Sequence, residues 1–244
     1  MKNIKIVIQY EGTNYCGWQR QNIGKTIQGE IEKAIFLLTN EKIDLIGCSR
    51  TDAGVHALGM VANFKTESTI PPEKFKNAIN SKLPEDIAII SSEEVSIEYH
   101  SRYYSKGKTY SYTIINRDEK VILGRNYAYQ VRGTLDIEEM RKACSYFIGK
   151  HDFIAFRTLG STAKTTVRTI SELYMVKQGE TITVYISADG FLYNMVRIII
   201  GTLLKVGKGK IKASDIPKII DEGKRENAGK CAPAKGLRLE KVYY

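Results

Sequence analysis

The sequence predicts an α+β protein built from two halves with mostly antiparallel sheets. Three observations predict it. Short strands with alternating apolar residues are interleaved with amphipathic helical stretches. The residues up to about 95 read in the order β-α-β-β-α-β. A second series of strands and helices then begins after Glu98-Tyr99-His100-Ser101-Arg102 interrupts the patterning. The division is placed at 100/101, giving halves 1–100 and 101–244, with no low-complexity linker between them.

In the first half, Ile4, Ile6, Ile8 and Tyr10 alternate with Lys5, Val7 and Gln9, the period of a half-buried strand. Glu11-Gly12-Thr13-Asn14 ends it as a turn. Thr26 is placed to cap a helix whose apolar face carries Ile27, Ile31, Ala34, Ile35 and Leu38. Strands are predicted near 43–48 and 58–65. Pro71-Pro72 opens a second helix with Phe75, Ala78 and Ile79 on one side, since proline suits a first helical turn. A strand near 86–95 closes the half.

In the second half, Lys108 to Ile115 reads as a strand with Tyr110, Tyr112 and Ile114 on one face. Asp136-Ile137-Glu138-Glu139 is a capping-box pattern, followed by Met140, Ala143, Cys144, Phe147 and Ile148 at helical spacing. Strands are predicted near 165–177 and 181–188. Phe191 to Val206 is apolar nearly all round, which predicts a buried helix. Ser214 is placed to cap a last short helix carrying Ile216, Ile219 and Ile220.

The formal net charge of +10 fits a nucleic acid or another anionic partner, and fits a lysine-rich surface equally well. The cysteines at 16, 48, 144 and 231 have neither metal-site nor disulfide-framework spacing, as expected of reduced thiols in a cytoplasmic protein. No apolar run reaches the ~18 residues of a membrane span, and the first residues read as a strand, not as a signal peptide. No membrane association, no metal and no cofactor are expected.

The chemistry-bearing residues concentrate in Gly47-Cys48-Ser49-Arg50-Thr51-Asp52-Ala53-Gly54-Val55-His56-Ala57. A neighbouring cation favours the charged form of a carboxylate, which suits a nucleophile or a charge stabiliser better than an acid. Spacing alone favours a turn aspartate bonded to its own backbone. The crowding of Arg50, Thr51, Gly54 and His56 into one strand-to-strand connection adds weight to a functional loop. His56 reads as a structural hydrogen-bonding residue more than as a base. Gly201 to Lys208 is superficially like a phosphate loop, but has one residue too many between the glycines and Gly209 where Ser or Thr belongs. Tyr110 and Tyr112 lie close to Lys106 and Lys108, as in a stacking platform for bases, although core packing accounts for strand tyrosines as well. Arg157, Lys164, Arg168 and Arg197 add cations. Arg197 falls in the apolar helix, where an unpaired charge is costly. Asp52 is its candidate partner, which predicts that the two halves meet at the site.

These residues carry a resemblance. The chain closely resembles the tRNA pseudouridine synthase A family: Arg50 to Ala57 is similar to its catalytic motif and Tyr10 to Arg20 to its first motif. Lys108-Thr109-Tyr110-Ser111-Tyr112 is similar to its tyrosine motif. His151-Asp152-Phe153, Val167 to Ile170, Phe191 to Arg197 and Ala232 to Leu237 follow in family order. The resemblance implies two fused ferredoxin-like, RRM-like halves around a central catalytic cleft. It implies isomerisation of uridine to pseudouridine at positions 38, 39 and 40 in the anticodon stem and loop of tRNA, without a cofactor, by a homodimer. It makes Asp52 the nucleophile and Tyr110 the residue that stacks on the uracil. Arg50 then holds the flipped nucleotide or fills its space, Arg197 pairs with Asp52, and Arg168 is a further substrate contact. Attack at uracil C6, attack at ribose C1′ and assistance to elimination at the sugar all remain open to Asp52. A non-catalytic RNA-binding protein, or a pseudouridine synthase acting on another RNA, is the alternative.

Overall fold

A computed structural model describes residues 1–158, 160 and 164–244. The elements run β1 (Lys2–Tyr10), α1 (Ile27–Thr39), β2 (Ile46–Gly47), β3 (His56–Thr66), α2 (Phe75–Asn80), β4 (Ile87–Val95), β5 (Gly107–Asn116) and β6 (Tyr129–Val131). They continue with α3 (Ile137–Ser145), β7 (Gly149–Asp152), β8 (Val167–Gln178), β9 (Thr181–Ala188), α4 (Met195–Gly207), α5 (Ile216–Glu222) and β10 (Leu237–Tyr243). They group into two compact units, Met1–Lys106 with Arg238–Tyr244, and Gly107–Leu237. Each unit is α+β. The division read at 100/101 lies close to Lys106, but the last strand returns to the first unit and does not belong to the second half.

In the first unit β1 lies between β3 and β4, antiparallel to both, with Ile6 opposite Ala62 on one side and Ser92 on the other. Ile4, Ile6 and Ile8 are fully buried, as their alternation requires. Thr26 accepts a bond from the Gly29 amide at 3.2 Å and caps α1, which buries Ile27, Ile31, Ala34 and Ile35. Phe64 of β3 meets Phe75 of α2 edge-on at 5.5 Å between centroids.

The strand predicted over 43–48 shrinks to two residues because α1 captures its backbone. The Leu45 amide donates to Glu32 Oε1 at 3.3 Å, and the Leu45 carbonyl accepts from Gln28 Nε2 at 3.2 Å. The edge of β3 that β2 leaves open is taken by β10, parallel, with Arg238 opposite His56 and Leu239 opposite Ala57. Gly59 admits this approach: a Cβ there would lie 2.6 Å from the Glu240 carbonyl oxygen.

A buried amide pair holds the segment where the sequence patterning breaks. Asn63 Nδ2 donates to Asn3 Oδ1 at 3.0 Å, and Asn3 Nδ2 donates to the carbonyls of Ser96 and Tyr99 at 2.8 and 3.0 Å. The Ser101 amide donates to Asn63 Oδ1 at 2.9 Å. The two buried amide side chains thus pair with each other and with the backbone of this segment, which is what makes burying them tolerable.

In the second unit the sheet runs β6-β5-β9-β8-β7, antiparallel except for the β5–β6 pair. Tyr110 lies opposite Ile186, and Tyr112 opposite Val184. Asp136 caps α3 by accepting from the Glu139 amide at 3.0 Å. The apolar stretch from Phe191 becomes helical only at Met195, later than the sequence pattern predicts. Asn194 has φ 62°, a left-handed conformation that cannot sit inside a right-handed helix. Ser214 does not cap α5; it lies in a short 3-10 turn, where Asp215 Oδ2 accepts from the Lys212 amide at 2.8 Å.

The glycines that imitate a phosphate loop are packing glycines. A Cβ on Gly201 would lie 1.7 Å from the Lys230 carbonyl oxygen, and one on Gly207 would lie 2.5 Å from Met140 Sδ of α3. Residues 229–232 run against α4, where the Gly229 amide donates to Thr202 Oγ1 at 2.7 Å and the Ala232 amide to the Arg197 carbonyl at 3.0 Å.

Charge is divided unevenly. The second unit holds 22 Lys and Arg against 13 Asp and Glu, and the first holds 15 against 14. Nine of the ten net positive charges therefore belong to the second unit.

Candidate active site

The carboxylate loop lies between β2 and β3 in the first unit. Its turn closes where the Val55 amide donates to the Asp52 carbonyl at 3.2 Å, with Gly54 at φ 78° in the third position. A left-handed backbone at that position selects glycine. Asp52 is half-buried, and Arg50 is exposed.

The segment leaving β1 clamps this loop. Tyr10 Oη and Thr51 Oγ1 share a buried hydrogen bond of 2.7 Å. The Trp18 amide donates to the Thr51 carbonyl at 3.0 Å, and the Gly12 amide donates to His56 Nδ1 at 3.1 Å. Two glycines permit the backbone contact: a Cβ on Gly12 would lie 2.0 Å from the Val55 carbonyl oxygen, and one on Gly17 would lie 2.6 Å from that of Thr51. Tyr15 donates to Asp86 and ties the clamp to the turn before β4; burial, then Asp86 itself, raises that phenol's pKa above its ordinary value. The loop is fixed on both flanks of Asp52, at Thr51 and at Val55-His56. A carboxylate on a loop held in this way is preorganised, with little left to lose in ordering it.

His56 occupies the structural role read from the sequence. Its Nδ1 accepts a backbone bond, so the ring is a neutral acceptor at that nitrogen. Residues 10–18 were legible only as a motif. Their function as a clamp comes from Thr51, Val55 and His56, distant in sequence, and the sole local signal was the pairing of small and aromatic residues at Gly12, Gly17 and Trp18.

In the second unit three of the predicted residues gather around one turn, residues 189–197. Tyr110 is buried on β5 and meets Phe191 edge-on at 5.1 Å. Tyr112, two residues on, is wholly in the core, and its hydroxyl donates to the Pro233 carbonyl at 2.8 Å. Burial raises the Tyr112 phenol pKa, and Arg197 opposes that rise. Arg168 lies beside the turn, since a Cβ on Gly190 would lie 3.3 Å from its Nε; its Nη1 donates to the carbonyls of Thr165 and Val167 at 3.0 and 2.6 Å. Arg197 stands in the first turn of α4 with Nε donating to the Ala232 carbonyl and Nη1 donating to Asn194 Oδ1, both at 2.7 Å. Arg157 keeps a buried Nε with no hydrogen-bond partner among the described residues, and Lys164 is exposed. Asn194 was not singled out from the sequence; its signal was a polar residue set between Tyr193 and a run of apolar ones.

Among the described residues no group of three or more His, Cys, Asp or Glu side chains is placed to hold a metal ion, and no helix is long and apolar enough to cross a membrane. The groups available for chemistry are a carboxylate in a clamped loop, a buried tyrosine ring and held guanidinium groups. These can stabilise charge, stack on a planar base and attack carbon.

Such an α+β scaffold has a defined kin. A model of the tRNA pseudouridine synthase family matches residues 6–104 and 143–244, and the chain belongs to that family. Within it, the chain is 59% identical over 244 residues to "tRNA pseudouridine synthase A" of Clostridium botulinum (strain Alaska E43 / Type E3), covering all of both chains. It is 54% identical to the protein of the same name from Acetivibrio thermocellus and 51% identical to that from Caldicellulosiruptor bescii, again over 100% of both chains. Among solved structures, a Cbf5-Nop10-Gar1 complex aligns with TM-score 0.39 and 12% identity, covering 96% of this chain and 57% of that one.

Proposed function

We propose that this protein isomerises uridine to pseudouridine in the anticodon stem and loop of tRNA, at positions 38, 39 and 40, with Asp52 as the nucleophile. One observation carries the reading: the Arg50–Ala57 loop is clamped by the Tyr10–Trp18 segment within a chain that matches its relatives end to end. In the reaction the bond from ribose C1′ to uracil N1 breaks and C1′ joins to C5. C5 loses its proton and N1 gains one, so there is no net redox change.

The target base is paired or stacked and has to leave the helix to be reached. Arg50, exposed beside the carboxylate loop, is suited to hold the flipped nucleotide or to fill the space it vacates. Tyr110 stacks on the uracil in this reading, and its hydroxyl is suited to take the C5 proton late in the reaction. Arg197 pairs with Asp52 in this reading, and Arg168 is a further substrate contact. The reading therefore draws its residues from both units. Asp52 can act by attack at C6, by attack at C1′, or by assisting elimination at the sugar, and each demands the same carboxylate. Two copies acting together in the cytoplasm would widen the basic surface that meets tRNA. A particle of twice 27.5 kDa in light scattering is the expected result.

Release of tritium from C5-labelled uridine in tRNA tests the proposal, with the modified positions mapped on the product. Asp52→Asn is expected to fold and bind tRNA like the wild type while turnover falls by roughly 10⁴-fold, the scale of loss on removing a catalytic carboxylate. Tritium release at the wild-type rate by that variant would remove Asp52 from the reaction. A wild type that binds tRNA without releasing tritium would point to an RNA-binding protein, and activity on a different RNA would move the substrate.

A further inference from the structure

We propose that Asn194 is a positioning residue for Arg197, and that its side chain ties the guanidinium to the strand-connecting segment at Thr158. The inference rests on the part given to Arg197 in the proposed function. Its ground is the geometry of the turn before α4. Asn194 Oδ1 accepts from Arg197 Nη1 at 2.7 Å, and Asn194 Nδ2 donates to Thr158 Oγ1 at 3.0 Å. The Thr158 amide in turn donates to the Tyr193 carbonyl at 3.1 Å, so two adjacent residues before α4 both meet Thr158. Arg197 Nε is already engaged by the Ala232 carbonyl at 2.7 Å.

The planar guanidinium is thus held on two of its nitrogens, by Ala232 along one edge and by Asn194 along another. A planar fork fixed at two points has one orientation left, and its remaining donors are aimed rather than free to rotate. Asn194 adopts φ 62°, which is strained for most side chains but tolerable for asparagine and easy for glycine. Two reasons for asparagine here can therefore be separated. The backbone reason is met by glycine. The positioning reason is not, because glycine has no amide to accept from Arg197.

Asn194→Gly is the deciding variant, because it relieves the left-handed backbone and removes only the side chain. Its thermal midpoint is expected to stay close to that of the wild type, the relief of the left-handed backbone partly offsetting the two lost hydrogen bonds. Its kcat for tritium release is expected to fall roughly tenfold to a hundredfold, as when a reacting constellation loosens by about an ångström, with little change in KM for tRNA. Asn194→Asp keeps an acceptor for Arg197 and tolerates the same backbone, and is expected to restore kcat to within a few-fold. A glycine variant with wild-type kcat would overturn the inference, as would an aspartate variant no better than glycine. Arg197→Lys, measured alongside, keeps the two failures apart. If it is impaired while Asn194→Gly is not, only the positioning role fails. If it is fully active, or if the wild type releases no tritium, the reading of Arg197 fails and this inference with it.

Discussion

Several single side chains in this protein are neutral acids buried where their charged forms are disfavoured. Burial pushes the Cys144 thiol on α3 up to about 12, and burial raises the phenols of Tyr15, Tyr112 and Tyr244 as well. In each case the native state holds its proton more tightly than the unfolded chain does. Stability from these groups is therefore complete below their unfolded values, about 8.5 for a thiol and about 10 for a phenol, and is lost as pH rises through the folded ones. Denaturant midpoints measured from pH 7 to pH 11 are expected to decline from about pH 9 upward. Cys144→Ala is expected to soften the first part of that decline, and an unchanged midpoint through pH 11 would contradict the assignment. Cys16, by contrast, is exposed, and is expected to react with a thiol reagent in the native protein while Cys48 and Cys144 stay protected.

The close crossing of residues 229–232 over α4 is the most demanding contact at the scale of elements. A Cβ on Gly229 would lie 2.1 Å from the Gly201 carbonyl carbon, backbone against backbone with no flexible side chain to yield. Gly229→Ala is expected to cost roughly 3 kcal/mol as an overpacked contact, which lowers the thermal midpoint by about 10 °C. A shift under about 2 °C would show that the crossing can open without loss. The same crossing shows where sequence reading succeeds and stops. The alternation of Ile4, Ile6 and Ile8, the Thr26 and Asp136 caps, and the apolar wrap of α4 are local facts, and each was legible. The true start of α4, the loss of most of β2 and the return of β10 to β3 are settled by partners far away in sequence. Glu32 and Gln28 capture Leu45, and Gly59 makes room for Glu240. Likewise Asp52, Tyr110 and Arg197 could be picked out by residue type and motif, whereas Asn194 is visible only once its two bonds are.

Charge belongs to the whole molecule, and here it is lopsided, with nine of ten net positive charges in Gly107–Leu237. Binding to a polyanion releases counterions in proportion to the phosphates neutralised, so the logarithm of the affinity for tRNA is expected to fall linearly with log salt. Local sign matters more than total charge, because fields from exposed groups fade within about 8–10 Å at physiological ionic strength. Lys208, Lys210 and Lys212 are exposed within five residues at the end of α4, in the unit that carries the excess. Lys65, Lys74 and Lys76 are exposed in the nearly neutral unit and serve as the control. Replacing the first three by Gln is expected to flatten the log–log slope by about 2 to 3, close to one counterion per lost phosphate contact, while the second triple leaves it within about 0.5. Thermal midpoints are expected to match the wild type in both, since all six side chains are exposed and surface substitutions of this kind usually change stability little. Equal slopes for the two triples would mean that tRNA follows the first unit as closely as the second, and the asymmetry of charge would then report solubility rather than a binding surface.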